Sequence, residues 1–449
     1  MVKDLTKGNV RPVLWSFTIP MFISVVFQQL YNIADSAIAG RFAGEDALAA
    51  VGASYPITMI FMAIAIGCNV GCAVVISSYF GAGDIRRMKT AISTTLIAST
   101  VLAVTLTIFG LLTSSYLMQM MNTPHNIFDA GDIYLKIYIG GMVFLFCYNV
   151  ATGIFTALGD SKTPLYFLIG SSVGNVVLDY LFVAVFHFGV SGVGWATFLA
   201  QGIAGIVAVI TLLRRVAKLP TGHGKIMLYS KSMLRRIAKI AVPSILQQSF
   251  VSVGNIFIQS LVNSFGSAVI AGYSAAIKLN TFTITSFSTL GNALSSFSAQ
   301  NIGAAKIDRV RKGFRAGTML AWIIEVPFFV LFFFFGNEML RIFMENPTGG
   351  AMKAGMAFLK IVSPFYFIIP LKLLADGLLR GSSAMIGFMF STFTDLILRV
   401  ILAYVFAGLF GSTGIWMSWP VGWSISAIIS LLFYRYTWKQ LSAERRLLK

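Results

Sequence analysis

The sequence predicts an all-α protein, a polytopic membrane protein of twelve transmembrane helices in two six-helix lobes related by a parallel pseudo-two-fold repeat. Three observations carry this. First, the 449 residues are 57% hydrophobic and only 11% charged, with a mean hydropathy of +0.81, a balance foreign to soluble domains. Second, the apolar runs are about 20 residues or longer, which suits helices crossing a hydrocarbon core of about 30 Å; barrel strands are about 10 residues of alternating character. Third, the halves resemble each other. SSYFGAGDIRRMKTA (77–91) aligns with SAQNIGAAKIDRVRKG (298–313), setting Gly81 against Gly303; Gly44 and Gly266 fall at the same spacing, and Pro20 and Pro243 are one residue off. Each half holds an even number of helices and starts on the same side, so the repeat axis lies along the membrane normal.

Breaks rich in charge, Gly or Pro separate the first six spans at 12–40, 50–80, 88–112, 131–158, 163–187 and 190–213, each long enough to cross. A second six follow at 236–263, 268–301, 313–336, 354–380, 383–409 and 412–435. The domains are therefore an N-terminal lobe at 1–213, a basic cytoplasmic linker at 214–235 and a C-terminal lobe at 236–449. Placing both termini in the cytoplasm puts most of the 34 basic residues inside, among them Arg86, Arg87, Arg214, Arg215, Lys225, Lys306, Arg309, Arg445, Arg446 and Lys449. Little beyond Arg41, Arg341, Lys353 and Lys360 falls outside. This is the positive-inside pattern of a multi-pass protein of the plasma (inner) membrane.

The net charge of +18 therefore reflects loops between apolar spans, not a nucleic-acid-binding face. Cys68, Cys72 and Cys147 lie within apolar segments and read as small packing residues. The first span, flanked by Lys3, Lys7 and Arg11, is too long for a cleaved signal and acts as its own insertion signal. No His/Cys cluster, nucleophile elbow or P-loop appears, and His125, His187 and His223 sit in or near loops, so the reading is not an enzyme and needs no cofactor.

Polar faces point to the function. In the first span, PMFISVVFQQLYNIADSAIAG (20–40), Gln28, Asn32 and Asp35 recur at i, i+4 and i+7 and share one face. An acid near mid-membrane costs roughly 2.5–3.5 kcal/mol on insertion scales, so Asp35 must face a partner or a wet cavity. The fifth span, SSVGNVVLDYLF (171–182), puts Asn175 and Asp179 on one face. Asp35 follows Pro20 by as many residues as Asp179 follows Pro164, so both stand at roughly 22 Å along their helices at 1.5 Å per residue. Thr197, in GVGWATFLAQ, falls at a similar level. Two carboxylates, an amide and a hydroxyl suit a hard cation such as Na⁺, which would make these four the metal ligands; the paired acids equally suit a shared proton. The alternative is a static hydrogen-bonded pair that orients helices.

The seventh span, PSILQQSFVSVGNIFIQ (243–259), repeats the stripe with Gln248, Ser252, Asn255 and Gln259. Both stripes, with Asp376, are candidates for a substrate cleft, although polar residues between membrane helices also serve as glue. Met59, Met62, Phe282 and Phe287 could add an adaptable surface for flat cations, although for each of them facing lipid or packing between helices is the favoured reading. Lys372 and Arg380 flank Asp376 at helical spacing, and Asp395 has Arg399 one turn away, which predicts a structural ion pair. Glu325 and Lys278 show no partner in the sequence.

These residues resemble the multidrug and toxic compound extrusion (MATE) family, within the superfamily that also holds lipid-linked oligosaccharide flippases. The marks are the Pro20 to Asp35 helix with GRFAGEDALAAVG after it, the glycine loops at Gly81 and Gly303, LGDSKTP after the fourth span and LLRGS after the tenth. The resemblance implies export of amphipathic, often cationic, drugs in exchange for H⁺ or Na⁺ by alternating access. Asp35, Asn175, Asp179 and Thr197 match the family's first-lobe cation site. Asp376 matches a second-lobe acid that some members use; the acid on helix seven has no counterpart, Gln247 and Gln248 standing there. The expected partners are small amphipathic molecules and the lipid bilayer, with the chain acting as a monomer. A flippase for a lipid-linked cell-envelope precursor is the alternative.

Overall fold

A computed structural model describes residues 3–38, 41–42, 45–121, 123–221, 226–344 and 349–447. Gly40, Gly44, His223, Lys225 and Lys449, and the side chains of Arg445 and Arg446, lie outside the described residues. Among the described residues the only regular elements are helices: α1 (Val10–Ile38), α2 (Glu45–Gly81), α3 (Ile85–Met120), α4 (His125–Gly140), α5 (Met142–Ala157), α6 (Lys162–Asp179), α7 (Gly189–Ala217) and α8 (Lys231–Asn263). After them come α9 (Ser267–Gly303), α10 (Ile307–Phe334), α11 (Gly336–Arg341), α12 (Gly349–Val362), α13 (Ile369–Gly381), α14 (Met385–Phe410) and α15 (Ser412–Leu447).

Nine described helices are long and apolar enough to cross a membrane. Two bent pairs complete broken spans, α4 with α5 at 47° and α12 with α13 at 50°, bringing the number to eleven. The second break was foreshadowed by Pro364 and Pro370: the chain there tightens to a 3₁₀ turn, Ser363–Phe367, because each proline removes an amide donor. The first sits at Gly141 with no proline to announce it. The twelfth span is α9, 37 residues long, whose Asn280, Thr283, Ser286, Ser295, Ser296 and Asn301 are all buried. Its polarity faces protein instead of lipid, which is where a membrane helix can carry it.

Chain contacts divide the molecule into two units, Met1–Asp4 with Ile23–Ile245, and Leu5–Phe22 with Leu246–Lys449. The described part of the 214–235 connector lies within the first unit; the division falls inside α1 and α8, just beyond Pro20 and Pro243. The reason is packing. Leu14 and Phe17, each 1% exposed, belong to the second unit's core with Phe287, Leu374 and Trp416. In the first unit, a methyl group at Gly71 would lie 2.6 Å from Ala241 Cβ and one at Gly67 2.2 Å from an Ile245 side-chain carbon, so only glycine admits α8 this close to α2. Phe287, a cleft candidate from the sequence, is instead core, and Phe282 packs edge-on against Phe328 at 5.4 Å.

The first unit's core joins Ile57, Phe61 and Ala65 of α2 to Leu135 and Ile139 of α4 and Phe146 of α5. LGDSKTP starts α6: Asp160 accepts from the amides of Lys162 at 3.2 Å and Thr163 at 3.1 Å and from the Thr163 hydroxyl at 2.7 Å. Two of these contacts satisfy helix-start amides that would otherwise lack partners, and Arg215 of α7 adds an ion pair. Burial alone would raise the Asp160 carboxyl, but the Thr163 hydroxyl and amide outweigh it and hold the group below the usual carboxylate range.

Candidate functional site

The site forms where α1 and α6 meet in the first unit. The carboxyls of Asp35 and Asp179 lie within hydrogen-bond reach of each other. A hydrogen bond between two carboxyl groups requires at least one proton between them, since two carboxylates offer only acceptors. Asp179 is 1% and Asn175 3% exposed. One turn apart on α6, they bond directly, Asn175 Nδ2 donating to Asp179 Oδ2 at 2.7 Å. On its other side the amide oxygen, Asn175 Oδ1, accepts from the Tyr31 hydroxyl at 2.6 Å.

Two residues here were missed by the sequence reading. Tyr31 precedes Asp35 by one turn, so i, i+4 spacing gave a signal, but the search for amides and acids chose Asn32 instead. Asn32 is exposed and takes no part. Thr197 of α7 lies near the Tyr31 hydroxyl but makes no hydrogen bond to it among the described residues. Tyr134 of α4, 9% exposed, packs against Val183, one turn beyond Asp179, and Val193 of α7, within electrostatic range of both acids. Nothing in its own segment marks it, because only the folded chain brings α4 beside α7 and Tyr134 against Val183.

Among the described residues neither acid makes an ion pair, and Oδ1 of both Asp35 and Asp179 is buried without a hydrogen-bond partner. Orphaned carboxyl oxygens inside a membrane helix bundle are expensive unless something positive comes to them. The donor set thus fits a proton or a small cation. Immediately alongside is a cavity of about 150 Å³ lined by Gln28, Tyr31, Met62, Tyr148, Asn149, Ser171, Ser172, Asn175 and Gln201. Its lining combines aromatic, amide and hydroxyl groups with the aliphatic side chains of Leu145, Leu168, Ala200 and Ala204, and holds no charged side chain among the described residues. Tyr31 and Asn175 belong both to the acid cluster and to the cavity wall.

Beyond Asp179 the helix widens into a π-helical stretch, Tyr180–Val185. Such stretches interrupt the regular backbone ladder and frequently accompany functional sites.

The other sequence candidates lie elsewhere. In the second unit, the Ser252 hydroxyl donates to the Gln248 carbonyl at 3.2 Å and Gln259 Nε2 to Asn263 Oδ1 at 2.8 Å, both within α8, and Asn255 is exposed. Asp376, expected at a cleft, is 2% exposed and enclosed: its Oδ2 accepts from Lys372 Nζ at 2.9 Å and its Oδ1 from the Ser430 hydroxyl at 2.6 Å. The expected Asp395–Arg399 pair is replaced by another. Asp395 Oδ2 is 3.9 Å from Lys372 Nζ, while the Arg399 guanidinium sits 4.4 Å over the Trp419 ring. Helical spacing offered Arg399, but packing of α13 and α15 against α14 supplied better partners. Glu325 is fully buried with neither carboxyl oxygen bonded.

Comparison with known proteins agrees with this architecture. The MatE family model matches twice, over residues 20–181 and 243–405, one match for each half of the internal repeat. The chain is 30% identical over 443 residues to the probable multidrug resistance protein YpnP of Bacillus subtilis, spanning 98% of both chains. It is 27% identical over 456 residues to the probable multidrug resistance protein YoeA of the same organism, again covering 98% of each. A solved structure described as the outward-facing conformation of a multidrug resistance MATE family transporter of the MOP superfamily superposes with a TM-score of 0.91 at 23% identity, covering 98% of each chain. Two matches of one family model, with relatives aligned nearly end to end, establish that the chain is a membrane transporter, not an enzyme, and belongs to the MatE family of MATE multidrug efflux proteins.

Proposed function

We propose that the protein exports amphipathic, often cationic, small molecules across the plasma membrane in exchange for a proton carried by Asp35 and Asp179. The carrying observation is that these two carboxyls lie within hydrogen-bond reach of each other, with no basic side chain paired to either among the described residues. A proton, and not Na⁺, is favoured by the Asn175 amide. Its nitrogen faces Asp179 while its oxygen is taken by Tyr31, whereas Na⁺ would call for the oxygen.

Asp35 and Asp179 hold and release the proton, Asn175 and Tyr31 brace Asp179, and Thr197 lies close to Tyr31. Gln28, Tyr148, Asn149 and Gln201 offer neutral hydrogen-bonding groups to the polar parts of a cargo, with Met62 and the aromatic rings for its flat apolar parts. Because Tyr31 and Asn175 serve both places, cargo in the cavity and a proton on the pair disturb the same two side chains. Antiport needs only that the two ligands favour different states of that shared wall. Both termini face the cytoplasm in this reading, and the chain works as a monomer. A lipid-linked cargo draws no support, because the aligned relatives are named for multidrug resistance.

The test is uptake of a fluorescent cationic dye into vesicles containing the purified protein, under an imposed pH gradient or an imposed Na⁺ gradient. The pH gradient drives transport in the natural chain and fails to drive it in Asp35→Asn. Transport driven by Na⁺ alone replaces the proton with a metal ion at the same four residues. Unchanged transport in Asp35→Asn overturns the role of the pair.

A further inference from the structure

The second unit also brings two acids together inside the membrane, but their surroundings differ. Asp376 on α13 and Asp395 on α14 both face Lys372 Nζ, at 2.9 Å and 3.9 Å. All three are buried, at 2%, 6% and 3% exposure. The Ser430 hydroxyl of α15 completes the coordination of Asp376 at 2.6 Å. An ammonium between two carboxylates, with a hydroxyl beside them, stands where a small monovalent cation would otherwise stand.

The remaining charges nearby have other partners. Arg380 of α13 donates to Asn292 Oδ1 of α9 at 2.9 Å and lies 5.3 Å over the Phe388 ring. Arg399 of α14 lies over Trp419 of α15. Neither arginine makes an ion pair with Asp376 or Asp395 among the described residues. Neutralising the two acids at close range therefore falls to Lys372. In the first unit Asp35 and Asp179 meet with no such lysine.

We infer that Lys372 is a tethered cation that fills a dicarboxylate site in the second unit, and that it thereby confines exchange of free cations to the first unit. The physical reason is local concentration. A covalently attached ammonium one helical turn from Asp376 is always present, so a dissolved ion or proton must displace it before it can bind. A buried pair stripped of its counter-charge would in turn demand a replacement, since leaving two carboxylates uncompensated in a low-dielectric interior is strongly unfavourable. Lys372 thus sets how many free cations the protein handles. Arginine, a longer and permanently charged substitute, retains this property.

The inference rests on the first-unit acids being the exchange site, but its test reads a difference that does not require it. Bound radioactive sodium is counted per purified full-length chain at mildly alkaline pH in the natural protein and in Lys372→Met, Lys372→Arg and Lys372→Met/Asp376→Asn. Lys372→Met should bind one sodium more than the natural chain, whatever number the natural chain binds. Lys372→Arg and the double variant should return to the natural count. A folded Lys372→Met with no additional sodium overturns the inference. Should that variant fail to fold, Asp395→Asn alone decides: its sodium count stays at the natural value, and a loss of one sodium shows that the pair holds a free ion despite Lys372. Adding Asp35→Asn to Lys372→Met keeps the two readings apart, because it can remove only the first unit's cation and leaves the increment intact.

Discussion

Asn175 Nδ2 stands 2.7 Å from Asp179 Oδ2, one turn along the same helix, and its other end is held by Tyr31 at 2.6 Å. The acid proposed to exchange a proton is thus braced by an amide that a residue of another helix holds in orientation. Replacing Tyr31 by Phe removes one hydrogen bond and little volume. A neutral hydrogen bond is worth about 0.5–1.5 kcal/mol, so dye transport should fall by roughly two- to tenfold. Its pH optimum should also move, which a merely structural tyrosine would not cause. Initial rates across a pH series in vesicles check both.

Asp160 gives a prediction outside the membrane span. Its carboxyl is held below the usual carboxylate range although burial opposes this, by the hydroxyl and amide of Thr163. A depressed acid stabilises the folded state above its unfolded value, and that contribution is lost as pH falls through the lowered folded value. Asp160→Asn should therefore cost about 1.5–3 kcal/mol at neutral pH. The cost should vanish toward strongly acid pH, and melting curves in detergent at several pH values read the convergence.

Glu325 is fully buried and neither of its oxygens is hydrogen-bonded. A carboxylate there would carry a heavy desolvation cost that a neutral group avoids. Glu325→Gln, a neutral group of the same shape, should leave the melting temperature within about 2 °C of the natural value or raise it. A drop of about 10 °C or more would mean that the negative charge itself is needed.

The second unit's helices approach through glycines. A methyl group at Gly377 of α13 would lie 2.1 Å from the Gly291 carbonyl oxygen of α9, a clash with backbone that cannot turn aside. Gly377→Val should reduce folded protein, seen as monodisperse material in size-exclusion chromatography, to a small fraction of normal. Gly52→Ala, where nothing lies within 4 Å of the added carbon, should express normally.

Much of this was legible in the sequence because membrane physics is local. Helix length follows from bilayer thickness, and among the described residues each of the twelve expected spans falls on helix, two of them as bent pairs, with ends moved by as much as the distance from 435 to Leu447. Asp35 and Asp179 stood out because acids are costly in apolar runs, and equal distance from Pro20 and Pro164 placed them at one level. What remained hidden depends on neighbours distant in sequence. Tyr134 joins the site only when α4 packs beside α7, and Lys372 reaches Asp395 only across the α13–α14 contact. The Asp395–Arg399 expectation shows the limit most clearly: i, i+4 spacing permits a pair, but Trp419 offered the guanidinium an aromatic face. The bend at Gly141 and the π-helical turn after Asp179 leave no mark in hydrophobic periodicity.

The central claim is that one proton on Asp35 and Asp179 is given up when cargo occupies the neighbouring cavity. The most direct measurement mixes purified protein with a cationic dye in weakly buffered detergent and follows pH with an indicator. The account predicts proton release on dye binding to the natural chain and none in Asp35→Asn or Asp179→Asn. Dye binding with no release from the natural chain, or release undiminished in either variant, would contradict it.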